Sequence, residues 1–307
     1  MDTSPATLQE AIVYFADPDR AHDFLVKMRW PNGVACPRMG CGSANVAAIK
    51  SRKKWRCREC NRQFSVKVGT IFEDSPIGLD RWLPAFWLLT NAKNGISSYE
   101  IVRGLKVCQK TAWFMLHRIR CAMQDETFEL LDTAVEVDET YVGGLAKNMH
   151  LEKRAKLRGT GGIDKTAVMG IARRHGNVRA WVVPNTQAET LQGKIAEHVA
   201  PGTTVYTDAA KAYLGLKQRF THYTINHAVE YVNGHISTNY IESFWSVFKR
   251  TVKGTYVAPR PKHLQRYVEE QVFRFNARKG NDGDRFPVVV KQAEGKRLTW
   301  KVLTAKV

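Results

Sequence analysis

Val135-Glu136-Val137-Asp138-Glu139-Thr140-Tyr141-Val142 interleaves apolar residues with acidic and hydroxyl ones. A period of two predicts a strand, over Ala134 to Val142, that turns Val135 and Val137 to a core and Glu136, Asp138 and Thr140 the other way. Apolar runs over Thr166 to Arg174 and Val178 to Val183 predict two further strands, joined by His175-Gly176-Asn177 as a hairpin turn. Downstream the pattern predicts a helix over Thr186 to Val199, capped by Thr186 with Glu189 three residues on. A strand over Thr203 to Thr207, a short helix after Asp208, a strand over His222 to Ile225 and a helix from Asn239 to Arg250 follow. Three strands, then helix, strand, helix, strand, helix is the order of an α/β domain. Gly143 to Lys165 interrupts it as a Gly- and Lys-rich loop.

Three acids in this region invite chemistry. Asp138 lies in the first strand. Asp208 closes the strand Thr204-Val205-Tyr206-Thr207 at its C-terminal end, where α/β folds place ligands. Two such acids can hold Mg²⁺, a hard, oxygen-seeking ion, although an isolated Asp is more often a cap or a turn residue. In the helix, Asn239, Glu242 and Lys249 stand near one face, while Ile241, Phe244, Val247 and Phe248 populate the core side. Trp245 can line the site or pack in the core, and core packing is the expectation. His235, four residues before Asn239, is read as a local cap that can also approach the site.

Upstream, Asp17-Pro18 reads as an N-cap and first helical residue, with Ala21, Phe24, Leu25 and Met28 at helical spacing and a stop near Trp30-Pro31-Asn32-Gly33. Cys36-x4-Cys41 and Cys57-x2-Cys60 then form two pairs of the spacing that converges on Zn²⁺. Lys50, Arg52, Lys53, Lys54, Arg56, Arg58 and Arg62 crowd the second pair with only Glu59 opposing, a density that suits phosphate contacts. Trp55 is expected in the core of this small module. Cys108 and Cys121 lack paired spacing and are read as buried packing residues. Leu79 to Asn91 and Ser97 to Met123 carry helical spacing, with breaks at Asn94-Gly95 and between Gly104 and Val107. Ser97 and Glu100 form a capping box, and the turn at Lys106-Val107-Cys108 leads to a second helix carrying Gln109, Lys110, His117, Arg118 and Arg120. In outline this is a helix-turn-helix with the second helix as reader.

The whole composition agrees. Across 307 residues, 47 Lys and Arg against 29 Asp and Glu leave a net charge of +18, which favours a polyanionic partner, nucleic acid above all. Apolar residues at 44% and charged residues at 25% exclude a disordered chain. No run approaches the roughly 20 apolar residues of a membrane span, and the start of the chain has no secretory pattern, so a cytoplasmic protein without membrane partners is expected.

These pieces together resemble bacterial insertion-sequence transposases of the DDE type that carry an N-terminal zinc ribbon, the ISXO-like family. The likeness rests on Arg29-Trp30-Pro31-Asn32-Gly33, on Val137 to Gly144, on Tyr206-Thr207-Asp208, and on Asn239 to Arg250 followed by Gly254-Thr255-Tyr256. Asp208 and Glu242 stand 34 positions apart and Lys249 trails Glu242 by seven, similar to the family's acid interval and trailing basic residue. The resemblance implies a multidomain α+β chain, with a zinc ribbon and helix-turn-helix followed by a ribonuclease H-like α/β catalytic domain. The expected boundaries are 1–33 for a helical segment, 34–66 for the ribbon, 75–127 for the helix-turn-helix domain, 130–256 for catalysis and 257–307 for a helical extension. The helix after Pro259 fits packing on the catalytic domain or on another subunit.

The implied activity is two-metal phosphoryl transfer on transposon ends and target DNA, with Mg²⁺ or Mn²⁺ held by Asp138, Asp208 and Glu242 and structural Zn²⁺ held by Cys36, Cys41, Cys57 and Cys60. Asp138 would bridge both ions and Lys249 contact a phosphate. Some branches of the family use asparagine at the third position, so Asn239 can share or replace the role of Glu242. DNA contacts are expected from Lys53, Lys54, Arg56, Arg58, Gln109, Lys110, Arg118, Lys249 and Arg250. Lys147, Lys153, Arg154, Lys156, Arg158 and Lys165 of the basic loop fit a target-DNA clamp or a solvated surface. A homo-oligomer that synapses two ends, associated with the bacterial nucleoid, is implied as well. Two other classes fit the same residues: a DNA-binding regulator with an inactive catalytic fold, and a ribonuclease H-like nuclease or resolvase that cuts without joining.

Overall fold

The computed structural model describes residues 4–124, 129–144, 150–152, 165–225 and 237–305. The chain divides into two compact units: Met1–Gln124 together with Ala277–Val307, and Asp125–Asn276.

The first unit opens with a helix that the sequence pattern does not announce. In α1 (Leu8–Phe15), Thr7 Oγ1 accepts from the Glu10 N–H while the Glu10 carboxylate accepts from the Thr7 N–H, a complete capping box. Helix α2 (Pro18–Arg29) starts as expected, with Asp17 Oδ1 accepting from the amides of Asp19 and Arg20. Strands β1 (Val46–Ile49), β2 (Lys54–Cys57) and β3 (Gln63–Phe64) form an antiparallel sheet in that order. Along β2, Lys54 and Arg56 point to solvent while Trp55 and Cys57 turn inward, and Trp55 stacks on Phe64 at 5.9 Å.

Helix α3 (Leu79–Asn91) buries Trp82, Leu83, Phe86, Trp87 and Leu89, with Pro84 inside it. A helix apolar around most of its circumference needs neighbours on several sides. One of them is the helix Asp282–Lys291, whose Phe286 ring meets Trp87, Phe15 and Phe24 at 5.1, 5.6 and 5.7 Å. Segment 257–307, expected from sequence as one extension, is therefore divided: its residues from 277 onward complete the core of the N-terminal unit.

Helices α4 (Ser98–Leu105) and α5 (Gln109–Ala122) form at the expected places, with the Ser97–Glu100 capping box present. Of the DNA contacts expected on α5, Gln109 and Lys110 are exposed, whereas Arg118 is not. His117, Arg118 and Arg120 are all buried, and Arg118 Nε donates to the Leu298 carbonyl at 2.9 Å while its guanidinium lies 4.5 Å from the Phe114 ring centroid. Arg118 is therefore held against the interior of its unit. Cys108 is corrected too: it is exposed at the N-cap of α5 with its sulfur 3.1 Å from Thr111 Oγ1, whereas Cys121 is buried as expected.

In the second unit, β4 (Val135–Val142), β5 (Thr166–Arg173), β6 (Val178–Val183), β7 (Thr204–Asp208) and β8 (Thr221–Ile225) form one sheet in the order β6-β5-β4-β7-β8. The first three pair antiparallel, and β7 and β8 run parallel to β4. The alternation along β4 feeds two cores. Val135 and Val137 pack with Leu191 and Ile195 of α6 (Ala188–His198). On the opposite face, Val168 and Ala172 of β5 meet Ile241, Phe244 and Phe248 of α7 (Asn239–Thr251) and Leu264 and Val268 of α8 (Pro261–Asn276). The helix after Pro259 thus packs on this unit's own sheet.

Two local expectations fail here. Thr186 is not the cap of α6, which begins after Gln187; Asn185 Oδ1 instead accepts from the Gln187 N–H at 3.0 Å and from Thr190 Oγ1 at 2.8 Å. The short helix after Asp208 is two separate 3₁₀ turns, Lys211–Tyr213 and Leu216–Gln218, divided by Gly215 at φ 99°.

Burial first, then the cations Lys262, Arg266 and Arg260, push the His263 imidazole on α8 down to about 4 from its ordinary 6.5. The folded chain then holds fewer protons here than the unfolded chain between those values, so the stability present above pH 6.5 is lost as pH falls toward 4. The melting temperature is expected to drop across that window, with a shallower slope in His263→Gln. Thermal melts at stepped pH check this.

Candidate functional site

Asp138 occupies the middle of β4, opposite Gly170 of β5. Strand β7 runs parallel beside β4 and ends on Asp208, and α7 lies over the sheet with Glu242 in its first turn. The charges of Asp208 and Glu242 reach Asp138. Burial first, with the charges of Asp208 and Glu242 adding to it, pushes the Asp138 carboxyl up to about 6 against the backbone N–H of Glu139. The Trp245 indole N–H also favours the charged form, from a buried position beside the carboxylate that falls short of full hydrogen-bond geometry. Trp245 itself packs in the core, as expected.

The other two acids are held locally. Asp208 Oδ1 accepts from the Ala210 N–H at 3.0 Å, and Glu242 Oε1 accepts from Thr238 Oγ1 at 2.9 Å. Asn239, Glu242, Lys249 and Arg250 are all exposed on α7. The acids approach within electrostatic range without closing on a single-ion geometry: among the described residues, only the cysteines converge that tightly.

Two contributors escape a reading of the sequence alone. Gly170 has no Cβ because α7 leaves no room for one; a Cβ there would lie 2.7 Å from Trp245 Cζ2 and 2.9 Å from Ile241 Cδ1. The signal existed, since a glycine inside a strand marks a close approach. Gly170→Ala is expected to cost about 1–3 kcal/mol by overpacking, measurable by urea unfolding. The second is Glu139, which accepts a hydrogen bond from the Tyr213 hydroxyl on the opposite face of β4 from Asp138. Burial first, opposed by that hydrogen bond and reinforced by Asp138 and Asp208, raises its carboxyl to about 7.

In the ribbon, the sulfurs of Cys36, Cys41, Cys57 and Cys60 all lie within 4.8 Å of one another, with Cys36–Cys60 at 3.8 Å and Cys41–Cys57 at 3.7 Å. A tetrahedron with Zn–S bonds of about 2.3 Å has edges of about 3.8 Å, so the four thiols are spaced for one zinc ion. Backbone N–H groups, chiefly that of Cys60, lower the Cys57 thiol to about 7, while burial pushes Cys36 up to about 12, leaving its deprotonation to a metal. Gly40 and Gly42, at φ 80° and 61°, supply the backbone turn of the first pair.

Lys54, Arg56 and Arg58 stand exposed beside the ribbon, and Lys53 is exposed but ion-paired with Asp19. At the start of α5, Gln109 Nε2 donates to Ser98 Oγ at 3.1 Å, and Lys110 Nζ sits 4.7 Å from the Trp300 ring centroid, both side chains exposed. His235, Lys147, Lys153, Arg154, Lys156 and Arg158 lie outside the described residues.

Residues 129–276 match the ISXO2-like transposase domain family, and residues 17–63 match a transposase zinc-ribbon domain. The chain is 30% identical over 251 residues to a protein in the transposable element ISH50 of Halobacterium salinarum, covering 77% of this chain and 83% of that one. The chain belongs to the ISXO2-like transposases. A transposase-like protein of Haemophilus influenzae is 38% identical over 96 residues, 31% of this chain and 77% of that one. In this ISXO2-like transposase, the transposase-domain match takes in Asp138, Asp208 and Glu242, and the ribbon match takes in all four cysteines. Among the described residues, no helix is long and apolar enough to cross a membrane.

Proposed function

We propose that this transposase binds the ends of its insertion sequence and catalyses divalent-metal-dependent DNA strand cleavage and strand transfer, with Asp138, Asp208 and Glu242 as the metal ligands of a ribonuclease H-like domain. The observation that carries the proposal is the approach of two acids to a third, Asp138. They come from a strand centre, the end of the neighbouring parallel strand and the covering helix, and two of them raise the third. Three antiparallel strands extended by two parallel ones, with helices on both faces, support the domain assignment.

The donor set is all oxygen, which suits Mg²⁺ or Mn²⁺ over zinc. Such ions, when bound, supply Lewis acidity to the attacking hydroxyl and charge to the leaving oxygen. The chain's own part is placement: Thr238 and the Ala210 amide hold Glu242 and Asp208 in set orientations. Lys249, exposed two turns beyond Glu242, would contact a phosphate, and Arg250 follows it. Asn239, one turn before Glu242, is the alternative third ligand.

For DNA binding, α4 and α5 act as a helix-turn-helix whose contacts come from its exposed first turn, Gln109 and Lys110. The basic ribbon residues Lys54, Arg56 and Arg58 add phosphate contacts, and a homo-oligomer brings two ends together. The test is joining of labelled duplex ends, taken from DNA flanking the gene, into a supercoiled plasmid with Mg²⁺ or Mn²⁺. Wild-type joining that vanishes in Asp138→Ala and Asp208→Ala is expected, with Glu242→Ala and Asn239→Ala deciding the third ligand. Tight end binding without cleavage under either metal would leave only a DNA-binding regulator, and cleavage without joining a nuclease.

A further inference from the structure

We infer that Glu136 is a positioning residue of the acidic site, fixing the first turn of α7 to β4 so that Glu242 is presented to Asp138. The inference rests on the metal-site reading of those acids. Glu136 is 2% exposed, on the same face of β4 as Asp138 and two residues before it. Its Oε2 accepts from the backbone amides of Tyr240 at 2.8 Å and Ile241 at 3.1 Å. Those are amides of the helix N-terminus, which have no intrahelical partner. The N-cap residue Thr238 makes no side-chain cap bond and directs its hydroxyl to Glu242 instead. The cap of α7 therefore comes from a strand about one hundred residues earlier, as a carboxylate at the positive end of the helix dipole.

Arg174 extends the anchor. Its Nε donates to Glu136 Oε1 at 3.0 Å, and its Nη2 donates to the Ser237 carbonyl at 2.8 Å and the Ser237 hydroxyl at 3.3 Å. Its guanidinium lies 3.9 Å from the Tyr206 ring centroid, on the strand that ends in Asp208. One buried carboxylate thus ties together β4, the end of β5 and the start of α7, and the guanidinium adds contact with β7. A second anchor lies about one turn on, where Trp245 presses against Gly170, with the Ile241 side chain reaching the same glycine from the first anchor. Two fixed points on a short helix set its rotation and its height, and both decide where Glu242 stands between them. A conventional Ser or Asp cap would satisfy the amides without setting that relation, because it moves with the helix.

The experiment uses the full chain as wild type, Glu136→Ala, Glu136→Gln, Arg174→Met and Asp138→Asn. Hydrogen exchange over residues 239–251 and Mn²⁺ binding by titration calorimetry are read together. Glu136→Ala is expected to raise exchange in the first turn of α7 and to weaken Mn²⁺ binding about 10- to 100-fold, the usual penalty for losing a group that orients metal ligands. Glu136→Gln keeps an acceptor for the amides but loses the charge facing Arg174, so both of its readouts should fall between wild type and Glu136→Ala. Arg174→Met should fall there too, which keeps the test open if Glu136→Ala does not fold. A purely structural Glu136 would lower stability and leave Mn²⁺ affinity unchanged in the folded variants, and that result overturns the inference. Wild type without Asp138-dependent Mn²⁺ binding would instead sink the metal-site reading. Unchanged α7 exchange in the Glu136 variants would then overturn the anchor as well.

Discussion

Asp138→Asn is expected to abolish strand transfer while raising the melting temperature of the metal-free protein. The two effects share a cause. Burial and the charges of Asp208 and Glu242 lift the Asp138 carboxyl from 3.8 to about 6, so at neutral pH the folded chain carries an ionised group that it disfavours. By linkage this costs on the order of 2–3 kcal/mol. Asparagine keeps the shape and the oxygen that accepts the Glu139 amide, and removes the charge. At about 2–4 °C per kcal/mol, several degrees of stabilisation follow. Joining activity should fall by at least about 10³-fold, since an amide neither neutralises nor bridges divalent ions as a carboxylate does. Added Mn²⁺ should then raise the wild-type melting temperature and leave that of Asp138→Asn unchanged. Paired melts with and without Mn²⁺, beside the joining assay, decide the matter. A variant that melts below wild type, or that still joins ends, would remove Asp138 from the centre of the site.

The second large effect concerns the ribbon. Its core cluster has Cys36, Cys57 and Phe64 buried, with Trp30, Trp55 and Val46 only partly covered. A core that small does not hold three short strands together without a crosslink. Structural zinc supplies about 10–16 kcal/mol in comparable peptides, so Cys60→Ser should release the bound zinc and unfold β1 to β3. Lys54, Arg56 and Arg58 then lose their fixed spacing. Affinity for duplex ends should fall, and the slope of log affinity against log salt should shrink by about 0.9 for each phosphate no longer neutralised. Zinc content by elemental analysis and end binding at several salt concentrations measure both. Cys108→Ser, outside the quartet, should alter neither; zinc retained in Cys60→Ser would exclude the four-cysteine site.

The strands of the second unit are legible in the sequence because the period of two along Val135 to Val142 and the turn at His175-Gly176-Asn177 are local signals. The cysteine spacing is legible for the same reason. Arg118 misleads because it sits among His117 and Arg120 in a basic end of its helix, and only distant partners such as the Leu298 carbonyl turn this arginine inward. Glu136 falls on the correct face of its strand from periodicity alone, but its role depends on Tyr240 and Ile241, more than one hundred positions away. Phe286 gives no local sign that it belongs with Phe15 and Trp87. Local periodicity fixes elements and faces; pairings between distant segments are settled by which apolar and polar groups remain unsatisfied once those elements exist.

The division of the C-terminal segment also bears on how the chain is made. Translation delivers residues 125–276 as one uninterrupted block, and every strand and helix of the second unit lies within it. The first unit is in a different position, because Trp87, Phe15 and Phe24 wait for Phe286. At roughly 5–20 residues per second, that ring leaves the ribosome on the order of 10–30 s after Gln124. The unit whose residues are synthesised first is therefore the last to close. A nascent chain passes through an interval in which its acidic site can already be assembled while its N-terminal core still lacks the helix Asp282–Lys291.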